Sequence, residues 1–308
     1  MLTIFLQILP FFAILGLGYF ASKWQFFGEQ ATAHLTKFVF YFALSAMIFR
    51  FTATLSLSEV FHAQSVMAYL SGTLAVYILA TLVGFLRGVG LEESAIEAQT
   101  AAIGNVGFLG IPMLAMLIGP AAIGPTMIVL AVDLIVFGSL LVILVSAKRD
   151  GRMSIKVLGS IGVGLVKNPM VMAIAAGMVW AGFRLPLPAP FEEFLILLGA
   201  AATPGALFAI GASLAGKSAE RISIALWLST AKLALHPLAV AFTSLVVFDV
   251  PAFTASVMIA AAAMPTAGNV YILAQHYGIA PVRVSSTILV STLVSMVSLT
   301  AVIAFVTS

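Results

Sequence analysis

Two short patches in a very apolar chain concentrate its polar, helix-breaking residues. One is Gly104-Asn105-Val106-Gly107, followed by Gly110 and Pro112; the other is Pro265-Thr266, followed by Gly268-Asn269-Val270. Glycine and proline in these positions interrupt a helix. A helix interrupted inside a bilayer leaves backbone N–H and C=O groups that only protein or a water-lined cavity can satisfy. The half-helices begin with unpaired N–H groups and the positive end of the helix dipole, an arrangement suited to a carboxylate. An asparagine adds two amide donors and one acceptor without a fixed charge, so Asn105 and Asn269 can hydrogen-bond an anion and release it. The candidate binding set is therefore Gly104, Asn105, Pro265, Thr266 and Asn269, with Gly110, Pro112 and Gly268 breaking the helices. The plainer reading of each asparagine is a cap on a broken helix, and of Pro112 an ordinary transmembrane kink.

Three ionisable residues lie inside apolar runs. Asp133 sits among valines, leucines and isoleucines, and Lys232 and His236 stand four residues apart just before Pro237, on one side of a helix. A carboxylate at that depth is expensive unless it is paired, protonated or facing water. Asp133 is thus either a coupling or substrate-attracting group or the structural partner of Lys232 or His236, and spacing alone does not say whether they meet. Glu92, Glu93 and Glu97 read as a solvated helix entrance with favourable N-terminal charge. Phe38, Phe40, Phe42, Phe49 and Phe51 read as lipid-facing or packed rings.

The elements that carry these residues are membrane spans. With 62% hydrophobic residues, 8% charged residues and a mean hydropathy of +1.17, the 308-residue chain has no composition for a water-soluble domain. Its basic residues fall in short loops, so the pI of about 9.3 reports topology and not nucleic-acid binding. Without cysteine there is no thiolate metal site, and the four histidines are scattered. No cofactor is expected; coupling to H+, coupling to Na+ and uncoupled transport are left open.

At roughly 20 residues per crossing, apolar segments appear near 3–22, 35–54, 65–86, 97–118 and 122–146, then near 159–182, 192–215, 222–248, 253–274 and 284–306. With the N-terminus outside, cytoplasmic loops collect Lys23, Lys37, Arg87, Lys148, Arg149, Arg152, Lys156, Lys167, Lys217, Arg221 and Arg283, against Arg50 and Arg184 outside. That asymmetry requires ten spans with both termini outside the cytoplasm. Five spans per half then set the halves in opposite orientations, as inverted repeats of about 1–146 and 159–308 joined by a cytoplasmic linker of about 147–158, in one transporter domain. Pro10 and Gly18 recur as Pro169 and Gly177, both 159 residues later, Ser45 and Gly205 are 160 apart, and Gly104 precedes Pro265 by 161. On the last spacing Asn105 faces Thr266.

Gly104-Asn105-Val106-Gly107-Phe108-Leu109-Gly110-Ile111-Pro112, with its Asn-x4-Gly-Ile-Pro spacing, resembles the fourth-span signature of the auxin efflux carrier family. Met264-Pro265-Thr266-Ala267 through Leu273-Ala274-Gln275-His276-Tyr277-Gly278 is similar to that family's ninth-span pattern, and Leu9-Pro10 with Gly16, Gly18 and Tyr19 to its first. The resemblance covers the whole chain. It implies an all-α fold of ten transmembrane helices in two inverted five-helix repeats, like the bile acid sodium symporters, with spans four and nine crossing as broken helices. It also implies an organic anion as substrate, an auxin-like acid or a carboxylate such as malate or malonate. Two departures are Leu44-Ser45, where the second span of relatives often carries proline, and the absence of the long hydrophilic loop of large plant carriers, which points to the bacterial branch and its inner membrane.

The function expected is secondary active transport of a small organic anion, with an uncoupled channel or a sensor as the alternative class. No Gly-x4-Gly-Lys-Ser/Thr run is present for ATP hydrolysis, and neither a His-Glu-x-x-His motif nor a second buried carboxylate suggests an enzyme. The expected partners are the anion and the lipid bilayer, with no nucleic acid; a homodimer is left open.

Overall fold

A computed structural model describes residues 2–54, 62–150, 155–216 and 222–306. Arg152, Lys217 and Arg221, three of the residues used to orient the chain, lie outside the described residues, as do the middle of the expected linker and the side chains of Lys148, Arg149 and Lys156. All described elements are helical. They are α1 (Leu2–Lys23), α2 (Glu29–Thr54), α3 (Ala63–Leu86), α4 (Leu91–Ala102), α5 (Val106–Leu117), α6 (Pro120–Ser146) and α7 (Ile155–Lys167), then α8 (Pro169–Gly182), α9 (Ala189–Leu214), α10 (Ile222–Val247), α11 (Ala252–Ala262), α12 (Gly268–Tyr277) and α13 (Pro281–Val306).

Six of these, α2, α3, α6, α9, α10 and α13, are long and apolar enough to cross a membrane, and the bent pair α7–α8 adds a seventh. Of the remaining expected spans, 3–22 falls on the 22-residue α1, while 97–118 falls on the shorter α4 with α5 and 253–274 on the shorter α11 with α12. The segment expected as one span at 159–182 is instead two helices meeting at 75°. Asn168 is the cause. Its side-chain oxygen accepts from the N–H groups of Met170 at 3.0 Å and Val171 at 3.4 Å, and Pro169 takes the first helical position, so a new helix starts there. Pro10, the expected counterpart of Pro169, lies inside an uninterrupted α1.

The long helices recur in pairs. Glu29–Thr54 and Ala189–Leu214 both have 26 residues and start 160 positions apart; Ala63–Leu86 and Ile222–Val247 end 161 apart, and Pro120–Ser146 and Pro281–Val306 start 161 apart. Their packing forms two groups. In one, α1 lies along α9 and α8 along α2, with α2 also against α9. In the other, α3 packs on α4 and α10, α13 on α10 and α11, and α6 on α4 and α11.

Lipid is as apolar as leucine, so helices associate here through close van der Waals packing, which small residues permit. A Cβ on Gly18 of α1 would run into the backbone carbonyl of Phe208 in α9, and one on Gly211 of α9 into the carbonyl of Leu15 in α1. On the other pair, a Cβ on Gly177 of α8 would come within 2.6 Å of the Thr52 Cβ and 3.0 Å of the Phe49 carbonyl in α2. Gly18 with Phe208 and Gly177 with Phe49 are the same contact made twice, since both glycines and both phenylalanines are 159 residues apart.

Gly211→Ala should therefore lower the thermal midpoint of the detergent-solubilised protein, with overpacking costing about 1–3 kcal/mol. Gly16→Ala, where an added Cβ meets nothing within 4 Å, should leave it unchanged or slightly raised. A thermal-unfolding series on the two variants checks the contrast.

Candidate functional site

Both interrupted helices break in the middle of the second helix group. α4 ends at Ala102, Ile103 is extended (φ −91, ψ 119), and the chain re-enters a helix at Val106 through a π-helical turn, Val106–Gly110. α11 ends at Ala262, and the chain runs through Ala263, Met264, Pro265, Thr266 and the extended Ala267 (φ −72, ψ 137) before α12 starts at Gly268. The two non-helical stretches pair as an antiparallel bridge between Gly104 and Thr266. The Asn105 N–H donates to the Pro265 carbonyl at 2.7 Å, and the Ala267 N–H to the Ile103 carbonyl at 3.1 Å. Four backbone groups stranded by the breaks thus satisfy one another.

The bridge is braced from both sides. The Thr266 hydroxyl donates to the Thr100 carbonyl of α4 at 3.0 Å, and the Thr266 N–H donates to Ser291 Oγ of α13 at 3.2 Å. The Asn105 carbonyl accepts from Leu109 at 3.1 Å and Gly110 at 3.0 Å, closing the π-helical turn. Gly110 and Pro112 lie beyond the interruption; Pro112 sits in the first turn of the straight helix that follows, where its missing N–H is harmless. Gly268 is the first residue of α12. The bridge sets Gly104, and not Asn105, opposite Thr266, at a spacing of 162.

Neither Asn105 nor Ala267, which precede the second half-helices, places a side-chain cap on them. The first N–H groups of α5 and α12 therefore lack the side-chain acceptor that helix starts usually carry. The Asn105 side chain is buried at 6% exposure, Gly268 is exposed, and Asn269 is half-buried with its side-chain oxygen unpartnered. The other helix group covers the start of α5: the Met170 methyl of α8 would stand 2.5 Å from a Cβ on Gly107, and Phe40 of α2 stacks on Phe108 with ring centres 6.1 Å apart. Phe38 and Phe42 are exposed, as lipid-facing rings should be, but Phe40 faces the crossing. Its apolar surroundings gave no sign of that.

Asp133, Lys232 and His236 are brought together behind the bridge. Asp133 and Lys232 both sit in π-helical turns, Val132–Phe137 of α6 and Ala231–Leu235 of α10, a geometry frequent at functional sites. Lys232 Nζ lies 2.8 Å from His236 Nδ1 and donates to the carbonyl of Ala262; His236 Nε2 is 2.9 Å from the Thr73 hydroxyl. Asp133 accepts from the Tyr69 hydroxyl at 2.8 Å through Oδ1, while its Oδ2 has no hydrogen-bond partner among the described residues. Lys232 and Asp133 make no ion pair within 4.0 Å among those residues; Tyr69, Thr73 and His236 stand in the sequence of contacts between them. Tyr69 and Thr73, four residues apart on α3, were not singled out from sequence because a hydroxyl in an apolar helix carries no distinctive spacing.

The acidic residues at the start of α4 differ from expectation. Glu97 is 1% exposed and takes both Arg87 guanidinium nitrogens, at 2.8 and 2.9 Å, as well as Arg283 of α13, which also pairs with Glu93. Where a solvated entrance was expected, the buried Glu97 and Arg283, with the part-exposed Glu93 and Arg87, form an ion cluster tying α4 to α13 and to the turn after α3. Beside it, where α4 begins and α12 ends, a cavity of about 280 Å³ is lined by Gly90, Leu91, Glu92, Glu93, Gly278, Ile279 and Ala280. It lies the length of α4 away from the break.

Comparison with known proteins agrees with this architecture. The model of the family described as "Membrane transport protein" matches residues 3–303. A protein of Rhizobium meliloti (strain 1021) named "Putative malonate transporter" is 26% identical over 305 residues, covering 98% of this chain and 95% of that one. "Uncharacterized transporter YfdV" of Escherichia coli (strain K12) is 25% identical over 295 residues, covering 91% and 90%.

Removing Glu97 leaves the buried Arg283 with only the part-exposed Glu93 as partner among the described residues, and breaking a buried pair in this way costs about 3–5 kcal/mol. Glu97→Ala should accordingly destabilise the protein strongly, whereas Arg50→Ala, which breaks a half-exposed pair with Glu192, should cost no more than about 1 kcal/mol. Chemical denaturation in detergent measures both.

Proposed function

We propose that this chain, which belongs to the membrane transport protein family of auxin efflux carrier-like transporters, is a secondary carrier that moves a small carboxylate across the membrane by alternating access. The observation that carries the reading is the Gly104–Thr266 bridge, which sets two uncapped half-helix starts within two residues of one hydrogen-bonded crossing. Val106 and Val270 donate to the carbonyls of Gly104 and Ala267, and an anion there meets the N–H groups of Gly107 and Gly268 beside them and the positive ends of two dipoles. The Asn105 amide, and Asn269 one turn into α12, add neutral donors that hold a carboxylate without trapping it. The similarity to a protein named for malonate favours a small dicarboxylate over an auxin-like acid.

On this reading the fold is ten spans in two inverted five-span repeats, with α4–α5 and α11–α12 as the broken fourth and ninth. The recurrence of the long helices at spacings of 160 and 161 and the duplicated glycine contact support it. The group of α1, α2, α8 and α9 rocks against the crossing-bearing group, and Phe40 and Met170 are the residues it lays over the site. Energy comes from a gradient of H+ or Na+ or from the membrane potential. The distribution of basic residues supports both termini outside the cytoplasm, and the resemblance to the bacterial branch supports an inner membrane.

Asn105→Ala should weaken stabilisation of the purified protein by malonate and related carboxylates about tenfold or more, since a hydrogen bond to a charged group contributes about 1.5–3 kcal/mol. Folding should be intact, and an unchanged response would remove Asn105 from the site. If the Asp133 carboxyl carries the coupling proton, Asp133→Asn abolishes the pH dependence of uptake into proteoliposomes; pH dependence equal to wild type would make Asp133 structural.

A further inference from the structure

Discontinuous helices in ion-coupled carriers commonly hold their sodium with unwound carbonyls and half-helix C-terminal ends. Here the corresponding position at the end of α11 is occupied by a side chain. Ala262 is the last residue of that half-helix, its carbonyl is among those a helix end leaves unpaired, and the dipole there is negative. The Lys232 ammonium, with no exposed surface, donates to that carbonyl and reaches the crossing itself: its Nζ and Cε would both lie 3.2 Å from a Cβ on Gly104. The groups around it are the His236 ring of α10 at 2.8 Å, the Asp133 carboxyl of α6, which acts on it across space, and the bridge backbone. A glycine at position 104 leaves room for the lysine, since any side chain there would press on the ammonium.

We propose that Lys232 is a tethered cation of the crossing: its ammonium does for the negative end of α11 what a bound sodium would do, and transport by this chain therefore requires no sodium. The proposal rests on the carrier reading of the crossing and narrows its energy source to the proton gradient or the membrane potential. It also gives Lys232 a positioning role, holding α11 against the bridge, without contact with the transported anion.

The test needs no known substrate. Purified wild type is melted in choline chloride and in sodium chloride at equal ionic strength, and its midpoint should be the same in both. Lys232→Ser, which removes the ammonium and leaves an oxygen, should melt lower in choline and regain several degrees in sodium, saturably. A role confined to packing would give no such cation-specific recovery. A sodium-specific rise in wild type overturns the proposal, as does a folded Lys232→Ser indifferent to sodium. Should that variant not fold, malonate uptake by wild-type proteoliposomes decides: equal rates in sodium and choline support the proposal and a sodium requirement overturns it. Failure of the carboxylate reading would show separately, as absence of stabilisation of wild type by any carboxylate, with the sodium comparison unaffected.

Discussion

A polypeptide can stop being helical inside lipid only if something answers its freed backbone groups, and in this protein two such interruptions answer each other. The pair of hydrogen bonds around Gly104 and Thr266 is the smallest possible piece of β-structure, and the rest of the molecule is arranged about it. Thr100 and Ser291 complete the pairing on either side, and the alanine-rich end of α11 packs closely enough to bring its last carbonyl to Lys232. Because the bridge uses main chain and not side chains, it leaves the asparagine amides and the starts of α5 and α12 to do something else.

Charge is distributed around that bridge in two separated stores. Behind it, Asp133, Tyr69, Thr73, His236 and Lys232 form a run of polar contacts spanning α6, α3 and α10, and two of its members sit where the helix widens into a π-turn. A widened turn is a local cost that persists when it aims a group the fold needs. Midway along α4, Glu97 with Arg87 and Arg283 ties the half-helix to its neighbours, and Glu93 in its first turn joins Arg283. The two stores bracket α4, so its position is held by ionic contacts at one end and by the bridge at the other.

How much of this was legible in the sequence follows from what is local. Apolar runs marked the crossing segments, and Gly104 and Pro265 marked the two breaks, because hydropathy and helix-breaking are properties of neighbouring residues. The ion cluster was not legible: Glu97 finds one arginine 10 residues away and the other 186 away, and nothing in the charge pattern of Glu92, Glu93 and Glu97 distinguishes a buried acid from a wet one. Lys232 and His236 were placed on one helix face correctly, but their reach to Ala262 and Thr73 depends on packing between elements. Asn168-Pro169 was a missed local signal. An N-cap followed by proline announces a helix start, and it was overridden by the apolar run on both sides.

That elbow between α7 and α8 has no equivalent in α1, whose proline bends nothing so sharply. Two identical inverted halves would give a molecule whose inward and outward openings are related by a two-fold rotation and equal in free energy, so that it would rest half the time in each. On the carrier reading proposed above, the 75° elbow, found in one half only among the described residues, sets the two openings at unequal free energy even before any gradient is applied.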